Sequence, residues 1–185
     1  MGIISVIIIF TCICVDNMVS ANMTAVNMSK ENKSVFSVKM ALFFTAFNVV
    51  FFGLGYLTSI IFFRNWVYFV HNWVAFAFLL LLGIKLILES IEKSPSFRDE
   101  DATNIRKLIK VSALLGLNSF LVGYAMETMD RSFFLEALLL LILTFTLTLL
   151  GSHLEGTHAK NLISKKIELA AGVILIIMSI YMIII

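Results

Sequence analysis

Long apolar runs constrain this chain more than any other feature of its sequence. Runs of about twenty mostly apolar residues recur along it, and this is the length at which an α-helix crosses the roughly 30 Å hydrocarbon core of a bilayer. Polar segments separate the runs: "NMSKENKS", "FRNW", "EKSPSFRDEDATNIRK", "METMDR" and "HLEGTHAKN". The sequence therefore predicts six transmembrane helices, at about residues 3–22, 36–60, 70–90, 108–126, 133–151 and 164–185.

The composition agrees with a protein that lies mostly in lipid. Of its 185 residues, 60% are hydrophobic and 14% are charged, whereas soluble domains carry about 25% charged residues. The net charge of +2 does not indicate a nucleic-acid partner, because the basic residues lie mainly in the segments beside the apolar runs. The first run lacks the basic start and the small-residue cleavage site of a secretory signal. We therefore expect it to be retained as the first helix.

The longest polar segment divides the chain into two halves. Residues 92–105 include the single proline, Pro95, and we interpret them as a cytoplasmic linker between a three-helix half at 1–91 and another at 106–185. With three helices in each half, the second half enters the membrane from the opposite side. Transporters built from such inverted repeats have their substrate sites near the midplane, where the halves meet. We predict one all-α transmembrane domain, 1–185, made of two inverted three-helix repeats.

Weak internal similarity is compatible with such a repeat. "CVDNMVSANM" can be aligned with "GLNSFLVGYAM", which pairs Asp16 with Asn118. "GIKLILES" likewise resembles "GVILIIMS", although at a different sequence offset.

The positions of lysine and arginine predict the orientation in the membrane, because cytoplasmic loops carry an excess of both. The first, third and fifth loops with their flanks contain eleven: Lys30, Lys33, Lys39, Lys93, Arg98, Arg106, Lys107, Lys110, Lys160, Lys165 and Lys166. The second and fourth loops contain two, Arg64 and Arg131. We therefore expect the first, third and fifth loops in the cytoplasm and both termini outside it.

Asp16 is the most unusual residue of the apolar runs. It lies in "TCICVDNMVSANM", residues 11–23, within the first predicted span. A charged side chain at the bilayer centre costs about 2.5–3.5 kcal/mol on insertion scales, and such residues usually mark a path for an ion, a proton or a substrate. The alternative is a structural hydrogen bond to a neighbouring helix.

At 1.5 Å per residue, Asp16 is roughly 20 Å along its helix and Asn118 roughly 15 Å along the oppositely directed fourth helix. The two can therefore meet near the middle of the membrane.

Other polar side chains within the spans can complete a cation site. They are Asn48, Asn118, Ser119, Thr144 and Thr148. Carboxylate and amide oxygens are the ligands that hard cations such as Mn²⁺ and Mg²⁺ prefer. We predict Asp16, Asn48 and Asn118 as ligands of a transported ion, with Ser119, Thr144 and Thr148 in supporting positions. For each amide or hydroxyl alone, a hydrogen bond between helices is the alternative.

Three further charged residues are interpreted as interfacial. Lys85 and Glu89 are four residues apart near the cytoplasmic end of the third helix, where a lysine can extend to the interface and pair with a glutamate. Glu168 is interpreted in the same way, beside Lys165 and Lys166 at the start of the sixth helix.

No nucleotide-binding loop and no nucleophile–base motif occurs in the sequence, so we expect neither an enzyme nor a bound cofactor. Cys12 and Cys14 point to different sides of one helix and cannot together bind one ion from it. We expect both to pack as apolar side chains.

Two stretches resemble a known family. "HNWVAFAFLLLLGIKLILES" at 71–90 and "KKIELAAGVILI" at 165–176 are similar to the MntP family of manganese efflux pumps, within the LysE superfamily of small exporters. In "VDNMVSA", Asp16 matches the acidic residue of that family's first motif. The resemblance implies a secondary transporter in the cell membrane that exports Mn²⁺ or another divalent cation. The expected partners are then the lipid bilayer and the cation, and the oligomeric state and coupling ion stay open.

The chain departs from the family pattern at the remaining positions of the site. "LGLNSFLVG" carries Asn118 where the family has an aspartate, Asn48 occupies the acidic or amide position of helix two, and Phe52 replaces the usual proline. One formal negative charge remains among the three predicted ligands. The alternatives are a weaker manganese site, an exporter of another small solute such as an amino acid, or a non-transporting membrane subunit on the same fold.

Overall fold

The computed structural model describes residues 3–26, 33–63, 68–91, 105–127, 132–153 and 158–184. These ranges form six α-helices: α1 (Ile3–Val26), α2 (Lys33–Phe63), α3 (Tyr68–Ile91), α4 (Ile105–Glu127), α5 (Phe133–His153) and α6 (His158–Ile184). Over these described ranges, the prediction of an all-α protein with six helices is confirmed. Of the predicted linker at 92–105, only Ile105 is described, as the first residue of α4; the rest lies outside the described residues.

Five of the helices are long and apolar enough to cross a membrane. Within the described residues these spans are Ile4–Ala25, Ser34–Ile61, Trp73–Ile91, Leu108–Glu127 and Phe133–His153. α6 carries Lys160, Lys165, Lys166 and Glu168 near its start, which shortens its uncharged stretch to 169–184. A sixth crossing therefore stays a prediction.

α1 is the central helix of the bundle. Of its membrane-spanning window, 72% is buried inside the protein, against 22% for that of α5. α1 packs mainly on α5 and also on α6, while α2 packs on α4 and α3 on α6. The outer faces expose large apolar side chains such as Ile61 and Phe134, as a surface in contact with lipid requires.

Glycines allow the closest approaches between helices. A Cβ atom added to Gly55 of α2 would overlap the carbonyl oxygen of Phe120 in α4. One added to Gly151 of α5 would overlap the carbonyl oxygen of Met18 in α1. Small residues at helix contacts in membranes permit this backbone proximity, so these two glycines fix how closely α2 meets α4 and α5 meets α1.

α3 and α6 approach each other through a pair of glycines. A Cβ atom on Gly83 would lie 2.9 Å from the Gly172 oxygen, and one on Gly172 would lie 2.8 Å from the Gly83 oxygen. Gly83 also faces Ile176, whereas Ile87, one turn further along α3, faces Gly172. The two helices therefore run antiparallel, which brings the end of α3 beside the beginning of α6.

Candidate cation site

Asp16 lies inside the bundle, where α1 is enclosed on all sides. Residues 12–19 of α1 are all buried, and Asp16 is only 5% exposed. Its Oδ2 accepts a hydrogen bond of 2.6 Å from Nδ2 of Asn118 in α4. The two side chains, which the depth estimate allows to meet, are thus in contact near the middle of their helices.

Lys85 of α3 reaches the same pair. Its Nζ lies 3.0 Å from Oδ1 of Asn118 and 3.5 Å from Oδ2 of Asp16. The Asn118 amide therefore presents its oxygen to an ammonium and its nitrogen to a carboxylate. The pairing of Lys85 with Glu89 is confirmed, at 3.2 Å. The interpretation of Lys85 as only an interfacial lysine is wrong, because its ammonium turns inwards and contacts Asp16.

Glu168 of α6 adds a third carboxylate to Asp16 and Glu89. It is 4% exposed, and one oxygen from each of the three groups lies within 4.8 Å of the other two. Its interpretation as an interfacial residue is also wrong. The antiparallel contact at Gly83 and Gly172 accounts for this placement, since Glu89 follows the first glycine and Glu168 precedes the second. Three helices thus direct carboxylates at one small volume, which can provide several oxygen ligands to a single hard cation.

A second cluster of polar side chains lies beside the Asp16–Asn118 pair and joins α1, α2 and α4. Asn48 of α2 is fully buried; its Nδ2 lies 3.3 Å from Oδ1 of Asn17 and 2.7 Å from the Phe44 carbonyl oxygen. Ser119 of α4 donates to Oδ1 of Asn48. Asn17 and Ser119 directly follow Asp16 and Asn118 in sequence, so Asn48 bonds to the residues adjoining the Asp16–Asn118 pair.

Asn17 was missed among the predicted ligands, although it stands beside Asp16 in "VDNMVSA". Its Nδ2 is buried and makes no hydrogen bond to the described part of the chain. Its position next to Asp16 was the sequence feature that could have identified it as a site residue. For Lys85, the corresponding feature was its position inside an apolar run.

Thr144 and Thr148 of α5 are buried on another side of α1. Oγ1 of Thr144 lies 3.3 Å from Sγ of Cys14, and Oγ1 of Thr148 donates to the Thr144 carbonyl oxygen. The first contact places Thr144 against α1, and Thr148 lies one turn further along α5. Cys12 and Cys14 are buried free thiols, in agreement with the expected packing.

Comparison with known proteins identifies the family. The model of a family described as "Mntp: Putative manganese efflux pump" matches residues 31–183. This chain belongs to the Mntp family. The match contains Lys85, Glu89, Asn118 and Glu168 and begins after Asp16. The family's description is that of a transporter and not of an enzyme.

Curated relatives carry the same description. A "Putative manganese efflux pump MntP" of Methanothermobacter thermautotrophicus is 30% identical over 105 residues, 57% of this chain and 55% of that protein. Proteins so named from Crocosphaera subtropica and Actinobacillus succinogenes are 27% and 28% identical over 141 and 145 residues. Those alignments cover 76% and 78% of this chain and 74% and 76% of the relatives, whereas the match to the Methanothermobacter Mntp protein spans about half of that protein's length. No solved structure matches the chain significantly.

Proposed function

We propose that this Mntp protein exports Mn²⁺ from the cytoplasm as a secondary transporter. The observation that carries the proposal is the buried contact between Asp16 and Asn118, with the carboxylates of Glu89 and Glu168 close to it. Carboxylate and amide oxygens suit a hard divalent cation. The relatives named as manganese efflux pumps support Mn²⁺ as that cation.

In the proposed site, Asp16 and Asn118 bind the ion directly. Glu89 and Glu168 add negative charge beside them, which offsets the neutral amide at position 118. Asn48 belongs to the site through Asn17 and Ser119, which it joins by hydrogen bonds.

Thr144 and Thr148 have a supporting role. Thr144 lies against Cys14 on α1, so it supports α1 from the side of α5. Thr148 bonds to the Thr144 carbonyl oxygen within α5, which satisfies its buried hydroxyl.

Alternating access by two inverted halves is the proposed mechanism. In a two-fold arrangement, α1, α2 and α3 correspond to α4, α5 and α6. The contact of α2 with α4 then corresponds to that of α5 with α1, and the contact of α1 with α6 corresponds to that of α4 with α3. All four contacts occur. Gly83 and Gly172 hold the same place in "GIKLILES" and "GVILIIMS" and contact each other. These features support a two-fold relation, with the ion site where the halves meet.

The proposed location is the cell membrane, with several crossings. The charge distribution favours cytoplasmic first, third and fifth loops and external termini. In that orientation Glu89, late in α3, and Glu168, early in α6, lie on the cytoplasmic side of Asp16. A cation coming from the cytoplasm then meets negative charge before it reaches Asp16.

Expression in a bacterial strain that lacks its own manganese exporter tests this function. The parent chain should restore growth in excess manganese and lower the cellular manganese content, while the empty vector does neither. Cellular iron, cobalt and zinc, measured in the same samples, serve as controls for selectivity. Normal amounts of protein in the membrane without any fall in manganese would contradict manganese export. The neutral amide of Asn118 favours, in that case, another solute or a non-transporting subunit.

A further inference from the structure

Lys85 places a positive charge at the oxygens proposed to bind the ion. Its Nζ is 3.0 Å from Oδ1 of Asn118 and 3.5 Å from Oδ2 of Asp16. Mg²⁺ lies about 2.0–2.1 Å from its oxygen ligands. A cation of that size bonded to Oδ1 of Asn118 would lie within about 5 Å of the ammonium if Lys85 kept its place. The ammonium and a divalent cation therefore compete for these two oxygens.

The charges also favour replacement of the Lys85 ammonium by the divalent cation over the presence of both at the site. Asp16, Glu89 and Glu168 bring three carboxyl groups together, and Lys85 is the cation paired with two of them. Repulsion between a divalent ion and an ammonium is twice that between two single charges at the same distance. Binding of the divalent ion thus favours any position of Lys85 further from Asp16.

The structure gives Lys85 a way to move. Its side chain is 40% exposed, whereas that of Asp16 is 8% exposed. Its other acidic partner, Glu89, lies one turn further along the same helix, at 3.2 Å, and is 38% exposed. The ammonium can leave Asp16 and Asn118 by rotation of its flexible stem and still remain beside Glu89.

We propose that Lys85 is a tethered counter-cation, which holds Asp16 and Asn118 until a divalent cation binds and then withdraws towards Glu89. The inference rests on the proposed function for the identity of the ion. The exchange avoids leaving a buried carboxylate without a positive partner, which is costly in a membrane. It also raises the concentration of ion needed for binding, because only the fraction of molecules with Lys85 withdrawn is competent to bind. Lys85 thereby sets a threshold for export.

Binding of Mn²⁺ to the purified protein in detergent gives the first test. The signal of free Mn²⁺ in electron paramagnetic resonance falls on binding, so titrations give the dissociation constants of the parent, Lys85→Gln and Lys85→Arg. We expect Lys85→Gln to bind about 5- to 150-fold more tightly, the usual range of such couplings, and Lys85→Arg to bind like the parent. Equal or weaker binding by Lys85→Gln, or no binding by either protein, would overturn the proposal.

A second pair of variants keeps the test valid if Lys85→Gln does not fold, because Lys85→Gln leaves Asp16 and Glu89 without their ammonium partner. Glu89→Gln and the double variant Lys85→Gln/Glu89→Gln differ by the ammonium alone, and the double variant leaves no additional uncompensated carboxylate. The double variant should bind Mn²⁺ more tightly than Glu89→Gln by a similar factor. Size-exclusion chromatography of each variant checks that it is folded.

The parent protein itself gives the second test, which separates movement of Lys85 from a fixed electrostatic effect. Lys85 is labelled by reductive methylation, and the extent is measured by mass spectrometry with and without saturating Mn²⁺. We expect labelling of Lys85 to rise several-fold on binding, and labelling in Asp16→Asn to be high without the ion. Unchanged labelling of the parent would overturn the withdrawal. Tight binding with these changes but without export in cells would contradict the proposed function and leave the counter-cation in place.

Discussion

Nδ2 of Asn118 lies 2.6 Å from Oδ2 of Asp16, and this contact joins α1 to α4 inside the bundle. Both residues are buried, at 3% and 5% exposure. A neutral amide thus faces a carboxylate, and Lys85 contacts both. This combination differs from two facing carboxylates, because the amide donates a hydrogen bond to Asp16 and still offers an oxygen to a cation.

Asp16→Asn should abolish manganese export with little change in the amount of membrane protein. An asparagine has the same shape and can still accept the hydrogen bond from Asn118, but it lacks the negative charge. Removal of one partner from a buried charged contact costs about 2 kcal/mol or more, which is about thirtyfold in affinity. Cellular manganese and immunoblots of membranes measure the two effects. Normal manganese resistance in Asp16→Asn would remove Asp16 from the ion site, and loss of the protein from the membrane would indicate a structural role.

The sequence sufficed to predict the six helices and the similar depth of Asp16 and Asn118, because both follow from length. An apolar run of about twenty residues spans the bilayer, and the rise per residue gives the depth of each side chain. Even so, the ends were less certain: α2 covers Lys33–Phe63, against the predicted 36–60.

The lateral arrangement of the helices could not be predicted in this way. In a bilayer both the buried and the lipid-facing sides of a helix are apolar, so hydropathy does not distinguish them. Leu86 is fully buried and Leu88 is 58% exposed, although they are the same residue type two positions apart. Lys85 and Glu168 were misinterpreted for this reason. Their sequence spacing to charged neighbours predicts ion pairs within one helix. It does not show that either side chain lies close to Asp16 on α1.

The helix contact at Gly123 should be sensitive to a single methyl group. A Cβ atom there would overlap the Phe52 carbonyl oxygen, whereas one on Gly53 would lie 3.7 Å from the Phe133 ring, which is ordinary contact. Gly123→Ala should therefore destabilise the folded protein by about 1–3 kcal/mol, as overpacking usually does, and Gly53→Ala should not. Thermal unfolding in detergent, followed by fluorescence-detected size exclusion, compares the two. Equal melting temperatures would show that α2 and α4 can separate without cost.

The proposed orientation predicts which loops an impermeant thiol reagent can reach. In a chain without Cys12 and Cys14, single cysteines at Lys33 and Lys160 should be protected in intact cells and labelled after permeabilisation. A cysteine at Ser132, which is exposed before α5, should be labelled in intact cells. The reason is the excess of lysine and arginine in the first, third and fifth loops. Labelling of the first two positions in intact cells, with Ser132 protected, would reverse the orientation.

Asn118→Asp tests whether the neutral amide weakens the manganese site. The new carboxylate would replace the Asn118 Nδ2 donor beside Asp16 by an oxygen. It would also lie 3.0 Å from the position of the Lys85 ammonium, so that this cation, or one proton shared by the two carboxyl groups, limits the cost of the added charge. A second charged oxygen favours a hard divalent ion. In a weakened manganese exporter, Asn118→Asp should therefore raise manganese resistance and lower the concentration at which export begins.

Asn48→Asp is the matched control, because it adds the same charge where Nδ2 now donates to the Phe44 carbonyl oxygen. A carboxylate oxygen facing that carbonyl is unfavourable, and we expect less protein in the membrane and no gain of export. Cellular manganese, measured for the parent and both variants at equal protein amounts, distinguishes the alternatives. No export by either the parent or Asn118→Asp would indicate a non-transporting subunit. Lower manganese export by Asn118→Asp than by an active parent would mean that the amide suits a different substrate.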